Sequence, residues 1–537
     1  METRTRYRTA LLAAALSGLL LTASLPPGST QGLAWIALVP LMAALRGRSR
    51  SLRFQLGFTA GIVHFLSLMY WIVVVLEGYG GLPLSLSLVV LLALAGYLAL
   101  YPALFALLFP CMWRSCFALL LTAATWVVLE YARGEFLTGL PWCFIGHSQG
   151  AHLLLIQICD LAGVYGVSFL VAAVNALIFA LLFDRGQGFG LTRKLEGGTI
   201  FLLLLLTLAY GGYRLHDLAA HASNGFPVRA AVIQGNIDQS LKWRPAFQEA
   251  TVDVYTRLSL RAASFHPDLL VWPETAVPYF FQERGALSER IATVAEKTGT
   301  DLLFGSPAYD RSGDHVRYYN RAYLLSPGER SVLWYDKVHL VPFGEYVPLK
   351  RFFPFVNRLV PAAGDFASGR RVAPLRGSGY AAGVLICFEA IFPELARCQA
   401  RQGAQVLVNL TNDAWFGRTS APFQHLAMSA FRSVETRLPM VRAANTGISA
   451  FVDACGRITE RSGLFSESIL VAPVLLLTGR PTFYTAHGDV FVLLLLFLVC
   501  GRLIGFYYHH RSRGLKMLRF PHHSKGGHHG HRTHEPD

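Results

Sequence analysis

Only 15% of the 537 residues are charged, acids number 33 against 48 Lys+Arg, and cysteine occurs eight times. Scarce charge beside a 53% hydrophobic content excludes intrinsic disorder, which needs the reverse balance. Eight cysteines and 49 glycines are too few in this length for a disulfide scaffold or a collagen. Charge is also missing unevenly. It vanishes from long apolar runs near the two ends, which argues against a purely soluble protein and points to a membrane protein carrying a water-soluble domain. The formal net charge of +15 suits either nucleic acid or positive loops on one membrane face, and its location decides between them.

A helix crossing the hydrocarbon core needs roughly 20 mostly apolar residues. No charged residue lies between Arg8 and Arg46, a stretch too long for one span, and Pro26-Pro27-Gly28 divides it into two short ones. Further spans are expected over 54–76, 82–109, 115–129, 161–183, 197–213 and about 490–500, eight in all. If spans alternate, residues 1–8, 46–53, 110–114, 184–198 and 501–537 share one side and carry a net +13. The opposite short loops hold Glu77, Glu130, Glu135, Asp160 and Asp489 against Arg133, a net −4. The positive-inside rule then makes both termini cytoplasmic and places 214–487 outside, so nucleic acid is not needed to explain the charge. The first span is read as retained rather than cleaved, because Pro26-Pro27 follows it without a small-residue cleavage site. The expected organisation is seven transmembrane helices in 1–213, a catalytic domain in 214–487, an eighth helix in 488–508 and a disordered His/Arg-rich tail in 509–537. The histidines between His522 and His534 have no regular ligand spacing, so no metal site is expected there.

Within 214–487, apolar runs at 228–234, 268–272, 301–305, 321–325, 382–387, 405–409 and 448–453 read as buried strands. Residues 247–264, 283–298, 393–402 and 422–435 read as helices between them, which makes an α/β domain. Cys387 ends the strand-like run Gly383-Val384-Leu385-Ile386, Glu274 ends Val271-Trp272-Pro273, and Lys337 stands among apolar and aromatic neighbours in Trp334-Tyr335-Asp336-Lys337-Val338. Alone, each fits a plainer role: a core thiol, a solvated turn acid, a snorkelling surface lysine. Together they form a reactive set, because a thiol with a pKa of about 8.5 is mostly protonated at neutral pH. A nearby ammonium favours its thiolate and a carboxylate can take its proton. The same ammonium can stabilise the oxyanion of a tetrahedral intermediate.

Glu274, Lys337 and Cys387 resemble the Glu-Lys-Cys triad of the nitrilase (carbon–nitrogen hydrolase) superfamily. So do Gln234-Gly235-Asn236-Ile237, Trp272-Pro273-Glu274-Thr275, the run from Lys337-Val338-His339-Leu340 through Val341-Pro342-Phe343-Gly344-Glu345 to Tyr346-Val347-Pro348, and Asn409-Leu410-Thr411-Asn412-Asp413-Ala414-Trp415-Phe416-Gly417. With spans on both sides of the domain, nearly the whole chain is similar to the apolipoprotein N-acyltransferase family. The resemblance implies a nitrilase-like α-β-β-α sandwich on an eight-helix transmembrane bundle, in a bacterial inner membrane with the catalytic domain periplasmic. It implies a monomeric enzyme without cofactor or metal. This enzyme moves an acyl chain from a phospholipid, typically phosphatidylethanolamine, through a thioester on Cys387 to the N-terminal amine of an S-diacylglyceryl apolipoprotein.

Other positions carry over from the resemblance. Glu345 is expected to bond Lys337 or support Glu274, Glu389 to hold the turn after the nucleophile or to be solvated, and Trp243 to sit at the lipid entrance or anchor at the interface. Asn320 either lines the site or merely precedes a strand. Gly146, with Pro141-Trp142, lies in an outer loop that resembles a stretch near the substrate opening or forms an ordinary turn. Phe388 departs from the tyrosine found there in some relatives, so no phenol is essential at that point. Cys398 and Cys455 share the outer compartment, and spacing leaves their pairing open. Two other functions compete: a membrane-tethered amidase or nitrilase using the same triad on a small amide, and a transporter or scaffold whose outer domain only binds. The spans carry almost no mid-span ionisable group apart from His64, which speaks against transport.

Overall fold

The computed structural model describes residues 2–28, 30–184, 190–222, 225–283, 285–312, 315–329, 331–346, 365–477 and 479–517. Helices fill the chain up to Ala222, and one more, Val490–Met517, follows the mixed α/β region. Among the described residues, four helices are long and apolar enough to cross a membrane: Leu84–Trp113, Cys159–Phe183, Leu191–His221 and Val490–His509. A fifth crossing is available if Arg50–Leu68 and Trp71–Gly78 act as one, since they are bent by 52° at a short break. The expected span over 54–76 therefore falls on two helices with a sharp bend between them. The other predicted spans are weaker as membrane helices for reasons their residues make plain. Glu2–Ala23 begins with charged residues, Gln31–Leu45 is short and starts as a 3-10 turn, and Ala118–Glu135 ends in Glu130, Arg133 and Glu135.

Two expected boundaries move. The helix that begins at Leu191 runs on to Ala222, past 213, because no Pro or Gly interrupts its last turns. The last helix likewise continues to Met517, so the start of the tail expected to be disordered from 509 is helical, and the histidine cluster between His522 and His534 lies outside the described residues.

The α/β region contains two six-stranded sheets. The first has the order β12-β1-β2-β3-β4-β5, with β1 Phe226–Gln234, β2 Leu269–Val271, β3 Asp301–Ser312, β4 His315–Leu325, β5 Leu333–Asp336 and β12 Ser468–Leu476. The second has the order β11-β10-β9-β8-β7-β6, with β6 Leu375–Gly377, β7 Tyr380–Ile386, β8 Val406–Thr411, β9 Met440–Ala444, β10 Ala450–Val452 and β11 Ile458–Arg461. Strand alternation explains how they stack. Val228, Ala230 and Val232 of β1 and Ala382, Val384 and Ile386 of β7 share one core between the sheets. Ala231 and Ile233 point the other way, into a core with helices Pro245–Ala262 and Ala286–Thr298. Leu385 and Leu407 pack on the opposite outer face against helices Pro393–Arg401 and Ala421–Thr436. The result is a four-layer α-β-β-α sandwich.

The second helical layer is also the seat on the membrane bundle. Leu385, Leu395 and Met428 belong to the same buried cluster as Phe65, Leu68, Trp71 and Leu91 of the membrane helices. Polar ties cross this junction: Trp142 Nε1 donates to Gln424 Oε1 at 2.8 Å, and Arg437 Nη2 donates to Asp160 Oδ2 at 2.7 Å. All eight cysteines are free thiols, including Cys398 and Cys455.

Candidate active site

Strand direction brings the three predicted groups to one end. β2 and β3 are parallel, while β4 is antiparallel to both β3 and β5, so β2 and β5 run the same way. Glu274 follows β2 by three residues and Lys337 follows β5 directly, so both lie beyond carboxyl ends, where side chains face a crevice. Cys387 is the first residue after β7 in the other sheet. Lys337 is 1% exposed and is no surface lysine. Its Nζ donates to Glu345 Oε1 at 2.9 Å and to Glu274 Oε1 at 3.4 Å. Burial opposes its charge, but Glu345 and Glu274 more than offset this and hold the ammonium above the ordinary lysine value. Cys387 shows the opposite balance. Burial and the charge of Glu274 push its thiol up, against the pull of Lys337, which favours the thiolate; the balance favours the thiol form.

Cys387 is half-buried and sits at φ 53°, a left-handed backbone that turns the chain sharply out of the strand. Its carbonyl is held from two sides, accepting from Asn409 Nδ2 at 3.3 Å and lying 3.2 Å from His425 Nε2. Behind them, His425 Nδ1 is 3.0 Å from Asp413 Oδ1, and Arg442 Nη2 donates to Asp413 Oδ2 at 2.7 Å. Thr275, next to Glu274, is also left-handed at φ 46°. That turn fits only because residue 305 is glycine: a Cβ there would lie 2.4 Å from Thr275 N and 2.8 Å from Glu274 Cα. Gly305→Ala is therefore expected to displace Glu274 and lower turnover by about 10²-fold, with a stability loss of about 1–3 kcal/mol. Activity and melting temperature measured on the same preparation check it.

The remaining predicted residues fall in three groups. Asn320 lies inside β4 rather than before a strand, and its Nδ2 donates to Glu274 Oε1 and Glu345 Oε1, both at 2.8 Å, so one amide ties the two carboxylates. Glu345 also accepts from Val341 N at 2.8 Å, which fixes its own loop. Glu389 is fully buried, not solvated, and its two oxygens accept from Ile386 N, Val338 N, His339 N and the Tyr335 hydroxyl. It thereby joins the turn after Cys387 to the segment after Lys337. Burial pushes its carboxyl up to about 7 even against these donors. Trp243 is 46% exposed. Gly146 packs against Val164 and Ser168 of helix Cys159–Phe183, with its N–H donating to Ser168 Oγ at 3.0 Å. Trp142 is the residue of that loop that approaches the site, its ring centroid 6.1 Å from that of His425. Val347 and Pro348 of the long motif lie outside the described residues.

Residues 17–177 match the family described as Apolipoprotein N-acyltransferase N-terminal domain, and 229–482 match Carbon-nitrogen hydrolase. An apolipoprotein N-acyltransferase of Geobacter metallireducens is 45% identical over 487 residues, covering 89% of this chain and 92% of its own length. The chain belongs to the apolipoprotein N-acyltransferase family. A second relative of that name, from Nitrosomonas europaea, is 33% identical over 88% of this chain and 93% of its own. Among solved structures, an amidase from Nesterenkonia sp. aligns at 24% identity over 48% of this chain and 92% of the amidase, with a TM-score of 0.36.

In this member of the acyltransferase family, sequence reasoning overlooked Lys242, His425 and Arg442. A signal existed for Arg442, a lone charge inside the apolar run Met440-Val441-Arg442-Ala443-Ala444, because a charged side chain on a buried strand requires an ionic partner. His425 had none, since its partners come from Asp413 and Cys387, which are distant along the chain.

Proposed function

We propose that the chain transfers a fatty acyl group from a phospholipid, with phosphatidylethanolamine as donor, to the α-amine of S-diacylglyceryl cysteine at the N-terminus of an apolipoprotein. The observation that carries this reading is a buried ammonium, Lys337 Nζ, held by Glu274 and Glu345 beside a thiol at a strand-end turn, in a domain whose helical layer rests on membrane helices. Glu274 takes the thiol proton as Cys387 Sγ attacks the ester carbonyl. The oxyanion is stabilised by the Lys337 ammonium. Glu274 then returns the proton to the departing lysophospholipid alkoxide, which leaves an acyl thioester on Cys387. In the second half the lipoprotein amine attacks the thioester, Glu274 accepts the proton released, and the Cys387 thiol is restored, so the kinetics are ping-pong.

The reading extends to the membrane. Glu2–Ala23, Gln31–Leu45, the bent pair Arg50–Leu68 with Trp71–Gly78, Leu84–Trp113, Ala118–Glu135, Cys159–Phe183, Leu191–Ala222 and Val490–Met517 make eight passes through a bacterial inner membrane. The positive loops and both termini then face the cytoplasm and the catalytic domain the periplasm. A monomer suffices for this scheme. To test it, the purified protein is incubated with phosphatidylethanolamine and then with a diacylglyceryl lipopeptide. The expected result is a hydroxylamine-labile acyl mass on the Cys387 peptide that moves to the lipopeptide amine. Release of free fatty acid, or of ammonia from a small amide, with no transfer would favour the amidase reading instead.

A further inference from the structure

Lys242 is one of the largest fully buried side chains of the molecule, 1% exposed, and the reaction scheme makes no use of it. It closes the short helix Gln239–Lys242 that follows the Gln234-Gly235-Asn236-Ile237 segment. Its Nζ donates to Thr275 Oγ1 at 2.7 Å and to the main-chain oxygen of Glu274 at 3.3 Å. Among the described residues no carboxylate comes within ion-pair distance of it, and the nearest ring, that of Trp243, has its centroid 6.0 Å away. An ammonium buried without a direct counter-ion costs several kcal/mol relative to a paired or solvated one. A methionine would fill the same volume without that cost. What the ammonium does provide is a grip on the two residues whose backbone aims Glu274, one of them a β-branched threonine in the left-handed region.

We propose that Lys242 is a positioning residue for this reaction: from behind, its ammonium holds the Glu274–Thr275 turn and favours the carboxylate form of Glu274. The inference rests on the reading of Glu274 as the base. The groups facing Glu274 are few: Lys337 at the end of β5, Asn320 on β4, Glu345 opposite across both of these, Cys387 after β7, and Lys242 behind. Lys337 is shared with Glu345, so its one positive charge serves two carboxylates. Lys242 supplies a second. Burial brings its ammonium down to about 7, opposed by Glu274. It is thus charged at acidic pH.

The sign of the effect follows. Taking the positive charge away makes the Glu274 carboxylate harder to form, so the acid limb of the pH–rate profile moves to higher pH. The experiment measures the rate of acyl-adduct formation on Cys387 from phosphatidylethanolamine micelles across pH, using the full chain in detergent. Lys242→Met is expected to move the acid limb up by about one pH unit, as loss of one nearby opposite charge does. Thr275→Val, which removes the closer acceptor and loosens the ammonium's hold on the turn behind Glu274, is expected to move it the same way by less. Lys242→Arg, which keeps the charge, is expected to leave the limb at or below its original position. A slower Lys242→Met enzyme whose acid limb stays in place would reduce Lys242 to a packing residue and overturn the proposal. Should Lys242→Met not fold, as judged by its melting curve, the Thr275→Val profile decides alone, and an unmoved limb there overturns it equally. Glu274→Gln separates the two levels: if it retains full acylation, the assignment of the base has failed and this inference with it. If it is inactive while the Lys242→Met limb is unmoved, only the inference has failed.

Discussion

Cys387→Ser is expected to lose acyl transfer by at least about 10³-fold, because an alcohol is far harder to deprotonate than a thiol and the base here is a single carboxylate. Burial and Glu274 already hold the thiol up, so in the proposed scheme its proton leaves during attack rather than from a standing thiolate. A hydroxyl, with a much higher intrinsic pKa, would leave Glu274 unable to complete that step, and Lys337 would have no developing oxyanion to stabilise. The substitution is nearly isosteric. The left-handed turn at Cys387 is held by main-chain contacts from Asn409 and His425, which do not involve sulfur, so the melting temperature should be unchanged. The measurement is the acyl mass on the peptide carrying residue 387 together with transfer to a lipopeptide. Activity within tenfold of the parent in the folded variant would sink the assignment of the nucleophile.

Arg442→Met is expected to destabilise the catalytic domain by about 3–5 kcal/mol, the cost of leaving one half of a buried ion pair behind. Arg442 and Asp413 are both 0% exposed on the side chain and meet at 2.7 Å. The guanidinium also donates to Asn409 Oδ1, to Ser429 Oγ at 3.3 Å and to the Ile448 carbonyl at 3.2 Å, so it joins β8, β9 and helix Ala421–Thr436. Burial raises the carboxyl of Asp413, but Arg442 and His425 more than reverse this and hold it below the usual range. A carboxylate depressed in the folded state contributes stability at pH values above its unfolded value of about 3.9, and that contribution fades as pH falls through the folded value. The variant should therefore lose most at neutral pH and differ least from the parent in strong acid. A fall in melting temperature of roughly 10 °C at neutral pH is the corresponding reading. Equal melting temperatures would show that the pair contributes nothing to stability. His425 and Asn409 connect this pair to the carbonyl of Cys387, so acyl-adduct formation should fall as well.

The two expectations differ in how far the sequence could carry them. Cys387 was legible because a charge-free run from 377 to 388 carries a thiol at its end, just before Phe388, and because Glu274 and Lys337 stand in motifs that share its chemistry. Strands were legible where they are apolar and central, as β1, β2, β7 and β8 are, but β9, whose apolar run carries Arg442, was not. The edges were not. β5, β6 and β11 are only three or four residues long with polar or exposed positions, and Pro473 interrupts β12, so pairing with a neighbour, rather than local composition, makes them strands. The spans show the same limit. A 19-residue helix, a 52° bend and an eight-residue helix look in sequence like one continuous apolar run, since hydropathy does not register backbone direction.

By itself the sequence determined the division into apolar spans and an α/β domain, the sign of the charge on each set of loops, and the three residue types able to perform acyl transfer through a thiol. These are properties of composition and of short ordered words, which local physics can read. Only the tertiary structure decided that Asn320 links Glu274 to Glu345, that Glu389 is a buried tie instead of a solvated acid, that Gly146 packs on the helix Cys159–Phe183, and that Lys242 reaches the Glu274–Thr275 turn. Most of these are contacts between residues roughly twenty to fifty positions apart or environments set by several layers at once. Burial and partner determine what a charged side chain does, and neither exists until the two sheets and their helices have closed over it.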